Sequence, residues 1–161
     1  MMSKNNLIVV REEKAFVMSR VFDAPRERVW RIYTDPNMIP KWWGPRRLTT
    51  IVEKMDVRVG GGWRYLQKDE QGNEFAFRGE YKLVDPPNQL VATFEFEPMA
   101  GQIVTDSYLF EAMLDGKTQV TVKSTFDTLE ALEGMLQSGM EGGAEESWDR
   151  LEELLAVAVS R

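Results

Sequence analysis

The sequence predicts an α+β domain, an antiparallel sheet with helices packed on one face, and two observations carry that expectation. From Asp127 onward the apolar residues Leu129, Leu132, Leu136, Met140, Ala144, Trp148, Leu151 and Leu155 recur at steps of three or four, the period of one helix face. Ahead of them runs a long succession of β-type segments joined by short clusters of turn residues. Short connections between successive strands imply antiparallel hairpins.

Each element has its own marker. Segment 15–22 reads as a strand, to which 7–10 can add. Asp23-Ala24-Pro25 then starts a helix with Pro at its first position, where a missing N–H costs nothing, and Val29, Trp30 and Ile32 give that helix a buried side. Asp35-Pro36 begins a second short helical turn that ends near Trp42-Trp43-Gly44-Pro45. Strands follow at 48–57, 62–67, 74–84, 89–97, 103–114 and 119–126, separated by Gly60-Gly61, 69–73, 85–88, 98–101 and Asp115-Gly116. Asp127 and Glu130 have the spacing of a capping box that opens the terminal helix. Within it Gly134, Gly139, Gly142 and Gly143 each weaken a helix interior by roughly 1 kcal/mol relative to alanine. The helix is therefore expected to bend or break between Gly134 and Gly143, or to let its backbone approach something closely. A helix that grips a curved sheet imperfectly leaves an apolar hollow, so this segment is the first pointer to a small-molecule cavity.

Composition bounds the function. A chain of 161 residues with 43% hydrophobic content suits one domain with a real core. It is expected to comprise residues 15–161 behind an N-terminal extension, residues 1–14. The formal charge of −6, with Lys and Arg scattered, argues against nucleic acid and anionic membranes as partners. The chain has neither Cys nor His, which removes thiolate nucleophiles, disulfides, the commonest metal ligands and the commonest general base. No cofactor or metal site is expected. The first residues lack the apolar stretch of a signal peptide and no run is long enough to span a membrane, so a soluble, cytoplasmic protein is expected.

Several segments in order, SRVFDAPRERVW, WWGP, MDVRVGGGWRY, GNEFAFRGEYKLVDPPNQLVATFEFE and MLQSGMEGGAEESWDRLEELL, resemble the START-like (SRPBCC) superfamily. The resemblance is to the branch related to the C-terminal domain of the activator of the heat-shock-protein-ninety ATPase, and it covers residues 16–156. It implies a helix-grip fold: a curved antiparallel β-sheet wrapped around a long C-terminal helix, two short helices after the first strand, and a cavity between sheet and helix. Members of that superfamily bind lipids, hormones or polyketide-like molecules, and some catalyse cyclisation or confer antibiotic resistance by binding the drug. The eukaryotic activator carries a separate N-terminal domain that engages the chaperone, so ATPase activation does not transfer with the resemblance. Relatives often have His where this chain has Gln102, and any acid–base role built on that His is absent.

Alternation along strands assigns faces. Phe94 and Phe96 share one face of their strand, Phe75, Phe77, Gly79 and Tyr81 one face of theirs, and Asp106, Tyr108 and Phe110 one face of a third. These faces are expected to look inward, toward Met135 or Leu136, Met140, Gly143, Ala144 and Trp148 of the terminal helix, with Trp42 or Trp43 near the mouth. Core packing explains any one ring as well, but small Gly and Ala opposite large rings favour a cavity for the set. Asp106 needs a partner or a raised pKa if buried, and Arg20 or Arg78 could supply the charge. Glu95 and Glu97, of opposite parity to Phe94 and Phe96, should be solvated. Gly60-Gly61-Gly62 lacks the context of a phosphate loop and reads as a hairpin turn. The leading expectation is binding of a small hydrophobic ligand, lipid-like or polyketide-like. The alternatives are a cyclase-like or hydrolytic enzyme using Asp106 and Tyr108, and a protein-binding domain acting on a chaperone or on a second copy of itself.

Overall fold

Alternating burial builds the sheet. Strand β8 (Thr118–Thr125) buries Thr118, Val120, Val122 and Ser124 and leaves the residues between them half exposed, as a strand with one face on a core must. The computed structural model describes residues 4–159. Its other strands are β1 (Asn6–Val10), β2 (Ala15–Phe22), β3 (Thr49–Met55), β4 (Gly62–Lys68), β5 (Glu74–Asp85), β6 (Gln89–Phe96) and β7 (Ile103–Ala112). They form one curved eight-stranded antiparallel sheet in the order β1-β2-β8-β7-β6-β5-β4-β3. Irregular register after Val52 in β3 and after Tyr81 in β5 marks bulges, which bend and twist a sheet locally. Segment Asn6–Val10 is a strand of its own, turned back on β2 through a short 3-10 turn at Arg11–Glu13.

Helix α1 (Arg26–Thr34) buries Val29, Ile32 and Tyr33 and leaves Trp30 half buried, its ring edge-on to Phe110 at 5.4 Å. The Pro25 carbonyl accepts from Arg28 N and Val29 N, at 3.0 and 3.2 Å, so Pro25 is the N-cap rather than the first helical residue. The turn expected at Asp35 forms, with Met38 N and Ile39 N donating to Asp35 O, and leads into α2 (Ile39–Trp42).

The terminal helical segment is two helices, α3 (Leu129–Gln137) and α4 (Met140–Val159). Gly139 between them has φ +87°, a left-handed conformation that ends a helix and that side chains with a Cβ disfavour. The break falls inside the expected interval. The expected cap at Asp127 does not form: the Thr128 hydroxyl accepts from Ala131 N at 3.0 Å. The sheet explains this, because Phe126 N still donates to Lys14 O and the chain cannot turn into a helix earlier. Close approach is not the reason for the other glycines, since a Cβ at Gly134, Gly142 or Gly143 would meet nothing within 4 Å. Gly142→Ala is therefore expected to stabilise the protein by about 0.5–1 kcal/mol and Gly139→Ala to destabilise it by about 1–2 kcal/mol, both readable from urea unfolding.

Two apolar clusters result. The larger joins Phe22, Tyr33, Trp63, Tyr81, Leu90, Phe110, Trp148 and Leu151, between the sheet, α1, α2 and α4. The smaller joins Phe16, Val104, Phe126 and Leu132 beneath α3.

Candidate ligand-binding site

The larger cluster is not filled. Trp63 and Tyr65 alternate inward from β4, Tyr81 from β5, Leu90, Ala92 and Phe94 from β6, and Asp106 and Tyr108 from β7; with Tyr33 of α1, Ile39 and Trp42 of α2, Trp43 and Thr93 they surround a hollow of about 120 Å³. All four tyrosines of the chain stand on its wall. Gly79 makes room for one ring: a Cβ there would lie 1.9 Å from Thr93 O and 2.3 Å from Trp63 Nε1. Its absence lets Trp63 Nε1 donate to Thr93 O at 3.1 Å.

Helix α4 fixes the Trp42-Trp43 corner from behind. The Ser147 hydroxyl donates to Trp42 O at 3.1 Å and accepts from Gly44 N at 3.2 Å, while Arg150 donates to Gly44 O at 2.8 Å and Pro40 O at 3.3 Å. From the sheet, Thr50 Oγ1 donates to Trp43 O at 2.9 Å. Trp42 is buried, and its Nε1 has no hydrogen-bond partner among the described residues. Trp43 is half buried and packs edge-on to Tyr65 at 5.0 Å and Phe77 at 5.2 Å.

Among the described residues Asp106 is the only charged one on this wall. The expected ion pair with Arg20 or Arg78 does not exist: Arg20 binds Asp149 at 2.9 Å, Glu152 at 3.3 Å and Asn5 at 2.6 Å, and Arg78 binds Glu95 at 3.1 Å. The partners of Asp106 are neutral hydroxyls. Ser124 Oγ, directly across on β8, donates to its Oδ1 at 2.6 Å, and the Tyr108 hydroxyl also favours its charged form. Burial pushes the Asp106 carboxyl up from 3.8 to about 6, against the opposing pull of the Ser124 and Tyr108 hydroxyls. The residue is mostly buried and stands on the wall of the hollow. Burial likewise raises the hydroxyls of Tyr33, Tyr65, Tyr81 and Tyr108, Tyr81 to about 12. Within the hollow, then, only Asp106 changes charge between acid and neutral pH.

Of the residues singled out from the sequence, Trp42, Trp43, Tyr81, Phe94, Asp106 and Tyr108 stand together on this wall. Phe75, Phe77 and Phe96 do not: they stack on one another, with centroids at 6.5 Å for Phe75–Phe96 and 5.0 Å for Phe77–Phe96. Phe110 is buried against Trp30 and Tyr33, outside the lining. Trp148 is a structural pin, edge-on to Phe22 at 5.6 Å and donating from Nε1 to Tyr33 Oη at 2.7 Å. Met135 and Met140 pack on the smaller cluster, Ala144 packs on the larger one away from the hollow, and Gly143 faces open space. The sequence alone did not single out Tyr33, Ile39, Trp63, Tyr65, Leu90, Ala92 and Thr93. The Trp63-x-Tyr65 alternation and the Val29, Ile32, Tyr33 stripe were the available signals. Glu95 also departs from expectation: it is buried, and the Gly101 N–H, at 2.7 Å, and Arg78 hold its carboxyl below the usual range. The loop after β6 folds over that face of the sheet and takes it out of solvent.

The family described as "Activator of Hsp90 ATPase homolog 1-like protein" matches over residues 23–156, which span every wall of the hollow. The chain belongs to this family. It lies within the START-like superfamily, and its curved sheet with a long C-terminal helix is the helix-grip fold. Protein Ms6760 from Mycobacterium smegmatis is similar at 28% identity and TM-score 0.84, over 93% of this chain and 95% of that one. A protein from Arthrobacter aurescens is similar at 26% identity and TM-score 0.86, over 94% and 91%. A Rhodobacter sphaeroides protein at 21% identity, TM-score 0.88, covering 95% and 99%, shares the fold. Among curated proteins none matches. No described helix is long and apolar enough to cross a membrane, and no metal-binding group of acidic side chains occurs among the described residues.

Proposed function

We propose that this family member binds a small molecule with a compact apolar body in the hollow between β4–β7 and the α1–α2 pair. The observation that carries the reading is an open space walled by aromatic rings, with one carboxyl and several hydroxyls on it, inside an otherwise packed core. Such a mix of apolar surface and few polar groups is what small-molecule sites share. Size narrows the ligand. At about 120 Å³ the hollow is below the roughly 300–1,000 Å³ of drug-sized pockets and near the ~150 Å³ of a cavity that takes benzene. A lipid-like or polyketide-like molecule therefore fits only through a ring-sized part. Burying about 150 Å² of apolar ligand surface is worth about 4 kcal/mol before association costs, so this contact by itself reaches at most about millimolar affinity. Tighter binding has to come from Asp106 and the hydroxyls.

Calorimetric titration with toluene tests the reading. Saturable binding is expected for the wild type and at least about tenfold weaker binding for Ala92→Leu, which fills the hollow with methyl groups. Absence of saturable binding in the wild type would speak against the site.

One observation favours a second reading, a cyclase-like or hydrolytic enzyme: the Asp106 carboxyl at about 6, beside Tyr108, is poised for acid–base work near neutral pH. The family's name brings a chaperone-activating role into view. The exposed apolar side chains support it less, because Leu114, Val59 and Ile8 sit on two separate turns and an edge strand rather than in one patch.

A further inference from the structure

The wall of the hollow has a charge preference as well as a size, and that preference has meaning only if the hollow binds a ligand, as proposed above. No cation pairs with Asp106: among the described residues no Lys or Arg lines the hollow, and Arg20 and Arg78, the two candidates from the sequence, are tied to other carboxylates. A buried carboxylate satisfied only by hydroxyls is costly, and a cation at hydrogen-bond distance would relieve it. With its carboxyl at about 6, Asp106 is ionised in most molecules at neutral pH, so the wall of the hollow carries a negative charge that no cation among the described residues pairs with. Each ring of the wall that turns its face to the space acts in the same sense. Trp43, Trp63, Tyr65, Tyr33 and Tyr108 crowd around the space, with centroids 5.0 Å apart for Trp43–Tyr65, 4.6 Å for Trp63–Tyr65 and 5.5 Å for Tyr33–Tyr108. Ring faces carry the negative end of the aromatic quadrupole and attract cations, quaternary ammonium groups above all. A neutral guest gains from neither feature, and an anion is repelled by both.

We infer that the hollow takes a small organic ammonium ion, its alkyl or aryl body against the tryptophan and tyrosine rings and its charged head toward the Asp106 carboxylate. The groups that face Asp106 leave it the only titrating partner: Ser124 on β8, Ala92 on β6, Tyr108 on its own strand, and Tyr33, Tyr65 and Tyr81, whose hydroxyls burial keeps protonated. Ammonium binding should therefore weaken as Asp106 gains its proton.

The test is calorimetric titration with choline and with 3,3-dimethyl-1-butanol, its uncharged isostere, beside toluene. Choline is expected to bind at least about tenfold tighter than the isostere at pH 8 and to lose about tenfold in affinity at pH 5, where a carboxyl at about 6 is mostly protonated, while the isostere stays unchanged. Asp106→Asn, checked for native folding by circular dichroism, should abolish the preference at pH 8; should that variant not fold, the wild-type pH comparison decides. Equal or weaker binding of choline than of the isostere, or choline affinity that does not change with pH, overturns the inference while toluene binding leaves the ligand site standing. Failure of all three to bind removes the site itself.

Discussion

Asp106→Asn is expected to raise the stability of the empty protein by up to about 3 kcal/mol at pH 7.5 and by only about 1 kcal/mol at pH 4.5. The sign follows from burial. The folded-state carboxyl titrates at about 6 and the unfolded one at 3.8, so between these values the native state binds more protons than the unfolded state. Stability contributed by Asp106 is therefore intact below about pH 4 and is lost as pH rises through 6, the reverse of an ion-paired carboxylate. Asparagine has no charge to desolvate and can still accept the Ser124 hydroxyl. Urea unfolding of both proteins at the two pH values reads the difference directly. An equal effect at pH 7.5 and 4.5 would mean that the hollow does not raise the Asp106 carboxyl above its unfolded value.

The second large effect belongs to Trp148. Its ring is 3% exposed, packs edge-on to Phe22 and holds Tyr33 by an indole N–H bond of 2.7 Å, so it joins α4, β2 and α1 at one point. Trp148→Ala should cost about 4 kcal/mol through the cavity it leaves, whereas Trp148→Phe, which keeps most of the ring contact, should cost about 1–2 kcal/mol for the lost hydrogen bond. Denaturant unfolding separates the two. Equal losses would deny that the packing of Trp148 dominates its role. Because Tyr33 stands on the wall of the hollow, the alanine variant should also weaken toluene binding.

Face was legible in the sequence, and depth was not. Alternation put Asp106, Tyr108, Phe94 and Tyr81 on the inward side, where they are, since a strand turns successive side chains to opposite faces whatever its neighbours. The same rule could not separate Phe94 from Phe96, one of which reaches the hollow while the other stacks on Phe75 and Phe77 further along the strand. Nor could it find the partner of Asp106. That depends on strand order: β7 lies between β6 and β8, so Ser124 stands opposite Asp106, whereas Arg20 stands opposite Val120, further along β8, and reaches α4 instead. The helix break was visible in its glycines, but only Gly139 has the backbone conformation that requires one. Which glycine breaks a helix depends on the backbone dihedral, and four similar residues in one segment do not distinguish themselves.

The claim that the hollow is the ligand site is tested most directly by aromatic ¹H–¹³C NMR spectra recorded during a toluene titration. The account predicts the largest shifts at Tyr33, Trp63, Tyr65 and Tyr108, which line the hollow, and little change at Phe75 and Phe96, which do not. Shifts concentrated instead at Phe16 and Phe126, in the cluster beneath α3, would contradict it.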